Sequence, residues 1–134
     1  MKHGKGVYTL SDGSYYEGEF EENKMSGEGV FKYQDDKSYE GGWKDNKMHG
    51  HGIYKWPDGN EYEGDYTMDK KEGWGKFTWG DGRVYEGEWR RGKQHGFGEF
   101  TTDKGKTKHG VWREGKKDKW VKEDDFNEAK QKYL

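Results

Sequence analysis

Cysteine is absent from this chain, proline occurs once and aliphatic residues are scarce. Without cysteine, the 134 residues have neither a disulfide framework nor a thiolate that could act as a nucleophile or a metal ligand. No long apolar run interrupts the sequence, which argues against a signal peptide and a membrane-spanning helix within it. We therefore expect a cytoplasmic protein.

An excess of charge of one sign is also lacking. The 25 Lys and Arg residues nearly cancel the 27 Asp and Glu residues, which leaves a formal net charge of −2. A chain with so little net charge has no overall field that would hold the phosphates of DNA or RNA. We therefore do not expect nucleic acid as a partner.

The shortage of aliphatic side chains restricts what the core can be made of. Leucine occurs only at Leu10 and Leu134, isoleucine only at Ile53 and alanine only at Ala129, whereas the chain has 7 Trp, 10 Tyr, 6 Phe and 23 Gly. Each buried ring can remove roughly 150–250 Å² of surface from water. The composition thus predicts a core of rings and glycine.

A repeat of 23 residues organises these rings and glycines. The motif YEG followed by an acidic residue or glycine and then a ring occurs four times in constant phase, at Tyr16–Phe20, Tyr39–Trp43, Tyr62–Tyr66 and Tyr85–Trp89. A second motif, G-x-G, follows at the same period. A decayed fifth copy of the first motif keeps Gly110 and Trp112. Constant phase over several copies is the signature of a repeat protein.

Each repeat reads as two β-strands. Rings and glycines alternate with polar residues in both motifs, which is the period of a strand. We predict a tight connection after the second strand at Gly13, Asp36, Gly59, Gly82 and Gly105, and a longer connection after the first at Asn23, Asn46, Asp69, Gly92 and Gly115. These residue types tolerate a left-handed backbone, so we expect positive φ at both sets.

Glycines and rings share one face of these predicted strands, so that a ring on one strand can cover the bare backbone of its neighbour. Two strands per repeat at 4.7–4.9 Å spacing add about 9–10 Å per repeat. The predicted fold is all-β, an elongated and twisted single-layer antiparallel sheet of tandem hairpins, with a short helix at its C-terminal end.

Tandem units of the form YEGEF/W followed by G-x-G and a DG turn resemble MORN repeats over residues 3–116. We divide the chain into an array over residues 1–120, with a partial first repeat, four full repeats and a decayed last one, and a C-terminal segment at 121–134. The resemblance implies a binding or scaffolding protein. It also implies a cytoskeletal location, because similar proteins occur in cilia and in the radial spokes of axonemes.

The segment Lys122–Leu134 carries a helical stripe, with acids early and lysines late as the helix dipole prefers. The stripe consists of Phe126, Ala129, Tyr133 and Leu134. Two roles are open for this helix. It could cover the last edge of the sheet, because exposed edges invite aggregation, or it could dock into a partner.

No residue constellation in the sequence supports catalysis. His3, His49 and His95 recur two repeats apart, about 19 Å at standard strand spacing, which is too far for a shared metal. A structural role near a turn fits them better. The ladder of Glu17, Glu40, Glu63 and Glu86 has no visible cleft and reads as a solvated row. We expect no enzymatic activity, no cofactor and no metal.

Two surfaces are candidates for binding. Aromatic residues could line a groove for a helix or an extended peptide of a protein partner, unless packing within the sheet uses them all; they are Tyr16, Phe20, Tyr39, Trp43, Tyr62, Tyr66, Trp74, Tyr85, Trp89 and Trp112. Lysines at one loop edge could contact anionic lipid weakly; they are Lys24, Lys47, Lys70, Lys93 and Lys116. An unpaired first strand could also join two copies of the chain.

Overall fold

The computed structural model describes residues 2–134, and Met1 at the start of the predicted partial repeat lies outside them. The described chain forms one open antiparallel sheet of eleven strands in sequence order. The strands are β1 (Gly4–Thr9), β2 (Tyr15–Glu21), β3 (Lys24–Lys32), β4 (Ser38–Lys44), β5 (Lys47–Lys55), β6 (Glu61–Thr67), β7 (Lys70–Thr78), β8 (Val84–Arg90), β9 (Lys93–Thr101), β10 (Thr107–Arg113) and β11 (Lys116–Val121). The predicted fold class is confirmed.

Glycine faces glycine across the middle of the strand pairs. In the first full repeat Gly18 pairs with Gly29, and Gly29 in turn pairs with Gly41 of the next repeat. In each of the four full repeats a tyrosine ring lies over this bare stretch of backbone, and a Cβ at Gly29 would collide with the ring of Tyr16. Glycine is therefore required here for a close approach of ring and backbone.

The two connections have the predicted backbone but the opposite lengths. Positive φ occurs at all ten predicted positions, for example 69° at Asn46 and 71° at Asp36. The Asn46 connection, however, is a two-residue hairpin between β4 and β5, and the Asp36 connection spans five residues between β3 and β4. The predicted lengths were wrong because the strands extend beyond both motifs and a β-bulge in each hairpin absorbs one residue.

Hydrogen bonds across repeats hold the two-residue hairpins in place. Asn46 donates its backbone N–H to the carbonyl oxygen of Met25 at 3.1 Å, and its side-chain oxygen accepts from the N–H of Met25 at 2.8 Å. Asp69 makes the same pair of bonds to Met48. Each turn is thus bonded to the repeat before it, and adjacent repeats stabilise each other.

The C-terminal segment forms one helix, α1 (Glu123–Gln131), which packs on β9 and β10. Phe126 and Ala129 of the predicted stripe are buried, whereas Leu134 is 84% exposed beyond the end of the helix. The helix lies on the face of the sheet and does not cover the last strand β11, so the suggested role as an edge cap is not what the structure shows. In the part of the chain that the structure describes, no helix is long and apolar enough to cross a membrane.

Candidate functional site

The core of the sheet is a continuous ladder of rings on one face. We call this face the aromatic face and this ladder the inner row. Four of the five tyrosines in this row, all but Tyr66, are fully buried, and each of these four hydroxyls donates a hydrogen bond to the backbone oxygen three residues on, as Tyr62 does to Asp65 at 2.9 Å. Rings of successive repeats meet edge to face, with centroids 5.3 Å apart for Tyr39 and Tyr66. The row consists of Tyr16, Phe20, Tyr39, Trp43, Tyr62, Tyr66, Tyr85, Trp89 and Trp112.

Packing within the sheet therefore uses these nine rings, which were candidates for partner contact. None of them is more than 8% exposed. Burial raises the pKa of Tyr16 to about 12, with the nearby charge of Glu19 as a smaller cause. Burial also raises the pKa values of Tyr39, Tyr62 and Tyr85 above the ordinary value for tyrosine. The inner row is a structural element on which other groups rest.

A second ladder of rings runs beside the inner row on the same face and is only half-buried. We call it the outer row: Tyr33, Tyr54, Trp56, Phe77, Trp79 and Phe100. Its rings are in contact within and between repeats, with centroid distances of 4.4 Å for Tyr54 and Trp56 and 5.6 Å for Trp56 and Phe77. The outer row thus presents a nearly continuous strip of partly accessible rings.

The sequence contained a signal for the outer row that the choice of candidates missed. Three of the second strands end in a ring, any residue and a further ring, as at Tyr54 and Trp56 or Phe77 and Trp79, whereas Phe100 has no second ring after it. The second ring of each pair lies just beyond the strand, where the five-residue connection begins. Rings in such a position are covered on one side by the sheet and open on the other.

Cations lie over the rings of the aromatic face. The guanidinium of Arg83 is 5.0 Å from the ring centre of Trp79, and the ammonium of Lys37 is 5.7 Å from that of Tyr33. Both cations also pair with a turn carboxylate, Arg83 with Asp81 at 2.9 Å and Lys37 with Asp35 at 3.0 Å. A cation over a ring face is attracted by the negative charge of the π system.

The opposite face carries the predicted glutamate ladder, and we call it the acidic face. Glu17, Glu40 and Glu63 are exposed there and alternate across the strands with Val30 and Ile53. Alternation along each strand places these side chains away from the tyrosines that precede them. The two faces of the sheet thus differ in chemistry, one aromatic and the other acidic.

Trp74 differs from the other aromatic candidates, because it lies on the acidic face. It stands between Gly73 and Gly75, and strand alternation turns it away from the inner row. The helix α1 covers it, with ring centroids 5.6 Å from Phe126 and 5.1 Å from Tyr133. Trp74 was placed in the aromatic groove from its residue type alone, and its strand position corrects that assignment.

Polar contacts also fix the helix on the acidic face. The hydroxyl of Tyr133 lies 2.7 Å from a carboxylate oxygen of Glu88, and Lys130 is 3.7 Å from Glu86. His109 packs its ring 4.9 Å from that of Phe126 and lies 3.0 Å from Glu99. The helix thus fills the acidic face over the C-terminal repeats and leaves the N-terminal repeats uncovered.

The five candidate lysines lie along one edge of the sheet. Each is the first residue of its strand and is exposed: Lys24, Lys47, Lys70, Lys93 and Lys116. Basic residues stand opposite three of them in the hairpins: Lys44 opposite Lys47, Arg90 opposite Lys93 and Arg113 opposite Lys116. Three of the five hairpins thus carry a pair of basic residues on this edge.

The recurring histidines support turns, as predicted. The Nδ1 atom of His49 accepts a hydrogen bond from the backbone N–H of Met68 at 3.3 Å, in the hairpin of the next repeat. His95 accepts in the same way from Glu114, and Glu72 takes the same position in another repeat and accepts from Arg91 at 2.8 Å. Among residues 2–134, no three ligand side chains are close enough together to hold a metal ion.

An open sheet of repeated hairpins with a ladder of rings along it defines this chain as a β-repeat protein. The family model for the MORN repeat matches residues 1–15, 16–37, 39–61, 62–82 and 85–107. The chain therefore belongs to the MORN-repeat family. MORN repeats generally bind protein or membrane lipid, and their fold is typically a binding scaffold rather than an enzyme. A search of curated proteins finds no match for the chain.

Proposed function

We propose that this protein is a non-enzymatic scaffold that binds a segment of another protein along its aromatic face. The observation that carries the proposal is the outer row, a strip of half-buried rings that crosses several repeats. Aromatic side chains that are partly accessible and held rigidly are the usual anchors of protein interfaces. An extended peptide or a helix laid across the strands would meet one or two rings in each repeat.

The aromatic residues chosen from the sequence enter this proposal as support for the contact surface. Trp43 and Trp89 belong to the inner row, beside the outer row, and each donates its indole N–H to a backbone oxygen, at 3.1 Å to Gly29 and 3.0 Å to Gly75. Rigid support reduces the side-chain entropy that a partner must overcome on binding. Changing these tryptophans would damage the sheet itself, so outer-row residues are the appropriate ones to test.

The experiment is quantitative capture of partners from the source cell with the whole chain as bait. The variants Tyr54→Ala and Trp79→Ala each remove one outer-row ring, and Glu40→Ala is the control on the acidic face. We expect a reproducible partner that is retained by Glu40→Ala and reduced several-fold by either ring variant, with all three proteins folded by circular dichroism. Equal capture by all three variants would refute the proposal.

The exposed lysine edge favours a second candidate function, contact with anionic membranes. Each lysine near an anionic surface contributes about 1 kcal/mol, and the five lie on one line. The test is sedimentation with vesicles that contain phosphatidylserine, at low and high salt. Binding that salt abolishes and that Lys47→Glu with Lys93→Glu prevents would support this candidate, and absence of binding at low salt would end it.

Location and self-association complete the proposal. Resemblance to compact MORN-repeat proteins of axonemal radial spokes supports a place in a cytoskeletal or ciliary assembly, which imaging of the tagged protein in the source cell would test.

The strand β1 is bonded on one side only, and Val7 and Tyr8 are 63% and 45% exposed. Pairing of two copies through β1 predicts a dimer in light scattering that Val7→Pro converts to monomer.

A further inference from the structure

Lys71 is a cation held among the rings of the aromatic face. Its ammonium nitrogen lies 5.6 Å from the ring centre of Trp56, 5.3 Å from that of Tyr62 and 5.7 Å from that of Trp89. None of the ion pairs within residues 2–134 includes Lys71. Burial alone lowers the pKa of this ammonium. A cation in this position is not neutralised by any carboxylate of the described chain.

The repeat provides a comparison for this position. Lys71 stands opposite Tyr66, just as Met25 stands opposite Phe20 and Met48 opposite Trp43. Methionine thus fills the same place in two other repeats, so the packing of the sheet does not require an ammonium there. The charge of Lys71 is a feature beyond what the fold needs.

An open pocket of about 300 Å³ adjoins Lys71 on the aromatic face. The rings of Phe77, Trp79 and Trp89 line it, and the side chains of Lys71 and Lys93 also reach it. Of the two cations, Lys93 is exposed and Lys71 is half-buried. A space of this size with apolar walls and two lysine side chains matches a carboxylate side chain with an apolar neighbour.

We propose that the partner segment is acidic, and that one of its carboxylates enters this pocket and pairs with Lys71 and Lys93. Neighbouring apolar side chains of the segment then lie on Phe77 and Trp79. This inference rests on the proposed function and adds the chemistry of the partner to it. The partner neutralises a half-buried cation, and an ion pair that is partly shielded from water is electrostatically stronger than one formed in water.

The distribution of charge over the sheet agrees with an acidic partner. The glutamate ladder is on the opposite face, where it repels an acidic segment, so such a segment is directed to the aromatic face. A flat bilayer would instead meet the exposed lysine edge, since Lys71 lies on the face of the sheet among the rings. The geometry therefore favours a peptide carboxylate over a lipid headgroup at Lys71.

The test uses three short fluorescein-labelled peptides in which Leu and Phe alternate with Glu, Gln or Lys. Fluorescence anisotropy with the whole chain measures the affinity of each. We expect the Glu peptide to bind most tightly and the Lys peptide least tightly. Lys71→Met should weaken the Glu peptide by about tenfold or more, the size of a charge-assisted bond, and leave the Gln peptide unchanged.

Matched variants separate this charge from other effects. Lys71→Met installs the residue that Met25 and Met48 already place in the same position, so the variant should fold, which thermal unfolding checks. Lys5→Met removes a lysine from the acidic face and should change no affinity. Gln94→Lys adds a second ammonium at the equivalent position of the next repeat and should tighten the Glu peptide.

Each other outcome counts against the inference in a recognisable way. If Lys71→Met binds the Glu peptide as the parent does, the carboxylate site is wrong, and the proposed function stands when Trp79→Ala still weakens the Gln peptide. If no peptide binds, both the site and the proposed function fail. If phosphatidylserine vesicles bind through Lys71 and the Glu peptide does not, the site belongs to lipid and the inference is overturned.

Discussion

The contact between tyrosine and glycine across each hairpin is the part of the fold that a single methyl group tests best. In the central repeat, a Cβ at Gly75 would collide with the ring of Tyr62. That ring is fully buried, donates its hydroxyl to Asp65 at 2.9 Å, and packs edge to face on Tyr66 and Trp89 at 5.2 Å and 5.3 Å. Gly75→Ala must therefore displace a ring that is held from several sides.

The expected loss of stability follows from these contacts. Losing the hydrogen bond of Tyr62 costs about 1 kcal/mol, and weakening two edge-to-face ring pairs costs about 0.5–1.5 kcal/mol each. Replacing glycine by alanine returns about 0.4–1 kcal/mol, because the unfolded chain becomes less flexible. Gly75→Ala should therefore lower the free energy of unfolding by about 1–3.5 kcal/mol.

Gly6 is the matched control, because it occupies the same repeat position and has no tyrosine above it. A Cβ at Gly6 would have the ring of Phe20 as its nearest neighbour, at 3.6 Å, which is an ordinary contact. Urea unfolding followed by tryptophan fluorescence measures both variants. Gly6→Ala should match the parent or gain slightly, and a Gly75→Ala variant as stable as Gly6→Ala would refute the packing argument.

Three further predictions concern the tyrosines, the turns and the helix. Burial raises the folded-state pKa of Tyr16 to about 12. The stability that neutral Tyr16 contributes is therefore complete below its unfolded pKa of about 10 and declines as the pH rises through about 12. The urea midpoint of unfolding should fall between these two pH values, and it should fall less in Tyr16→Phe. Asn46→Gly keeps the turn backbone but removes the side-chain bond to Met25, and should cost about 1 kcal/mol by thermal unfolding. Phe126→Ala should release the helix and shift the fluorescence of Trp74 to the red, with little change in the far-ultraviolet spectrum of the sheet.

Repetition made the backbone of this protein predictable. Because each turn recurs with Gly, Asn or Asp in a fixed position, the need for positive φ could be read at Asn46 and Gly59 alike, and the structure confirms it. The lengths of the two connections could not be read, because they depend on where hydrogen bonding begins and on a bulge. Neither the start of hydrogen bonding nor the bulge can be recognised from the spacing of the motifs, as the strand bounds around Asn46 illustrate.

The candidate site was less predictable, because burial is a property of neighbours. Sequence pattern placed Trp43 and Trp89 on the aromatic face but could not establish whether anything covered them. Trp74 was assigned by residue type although its position between two glycines indicates the other face. The contact between the Lys71 ammonium and the ring of Trp56 could not be predicted, because these residues are distant in sequence and become close only in the sheet.

Photo-crosslinking in the source cell shows directly whether a partner lies on the aromatic face. A benzophenone side chain replaces Trp79 on the outer row in one protein and Glu40 on the acidic face in another, and mass spectrometry maps the adducts. We expect adducts with one partner segment from position 79 and none from position 40. Adducts from position 40 alone, or equally from both positions, would contradict it.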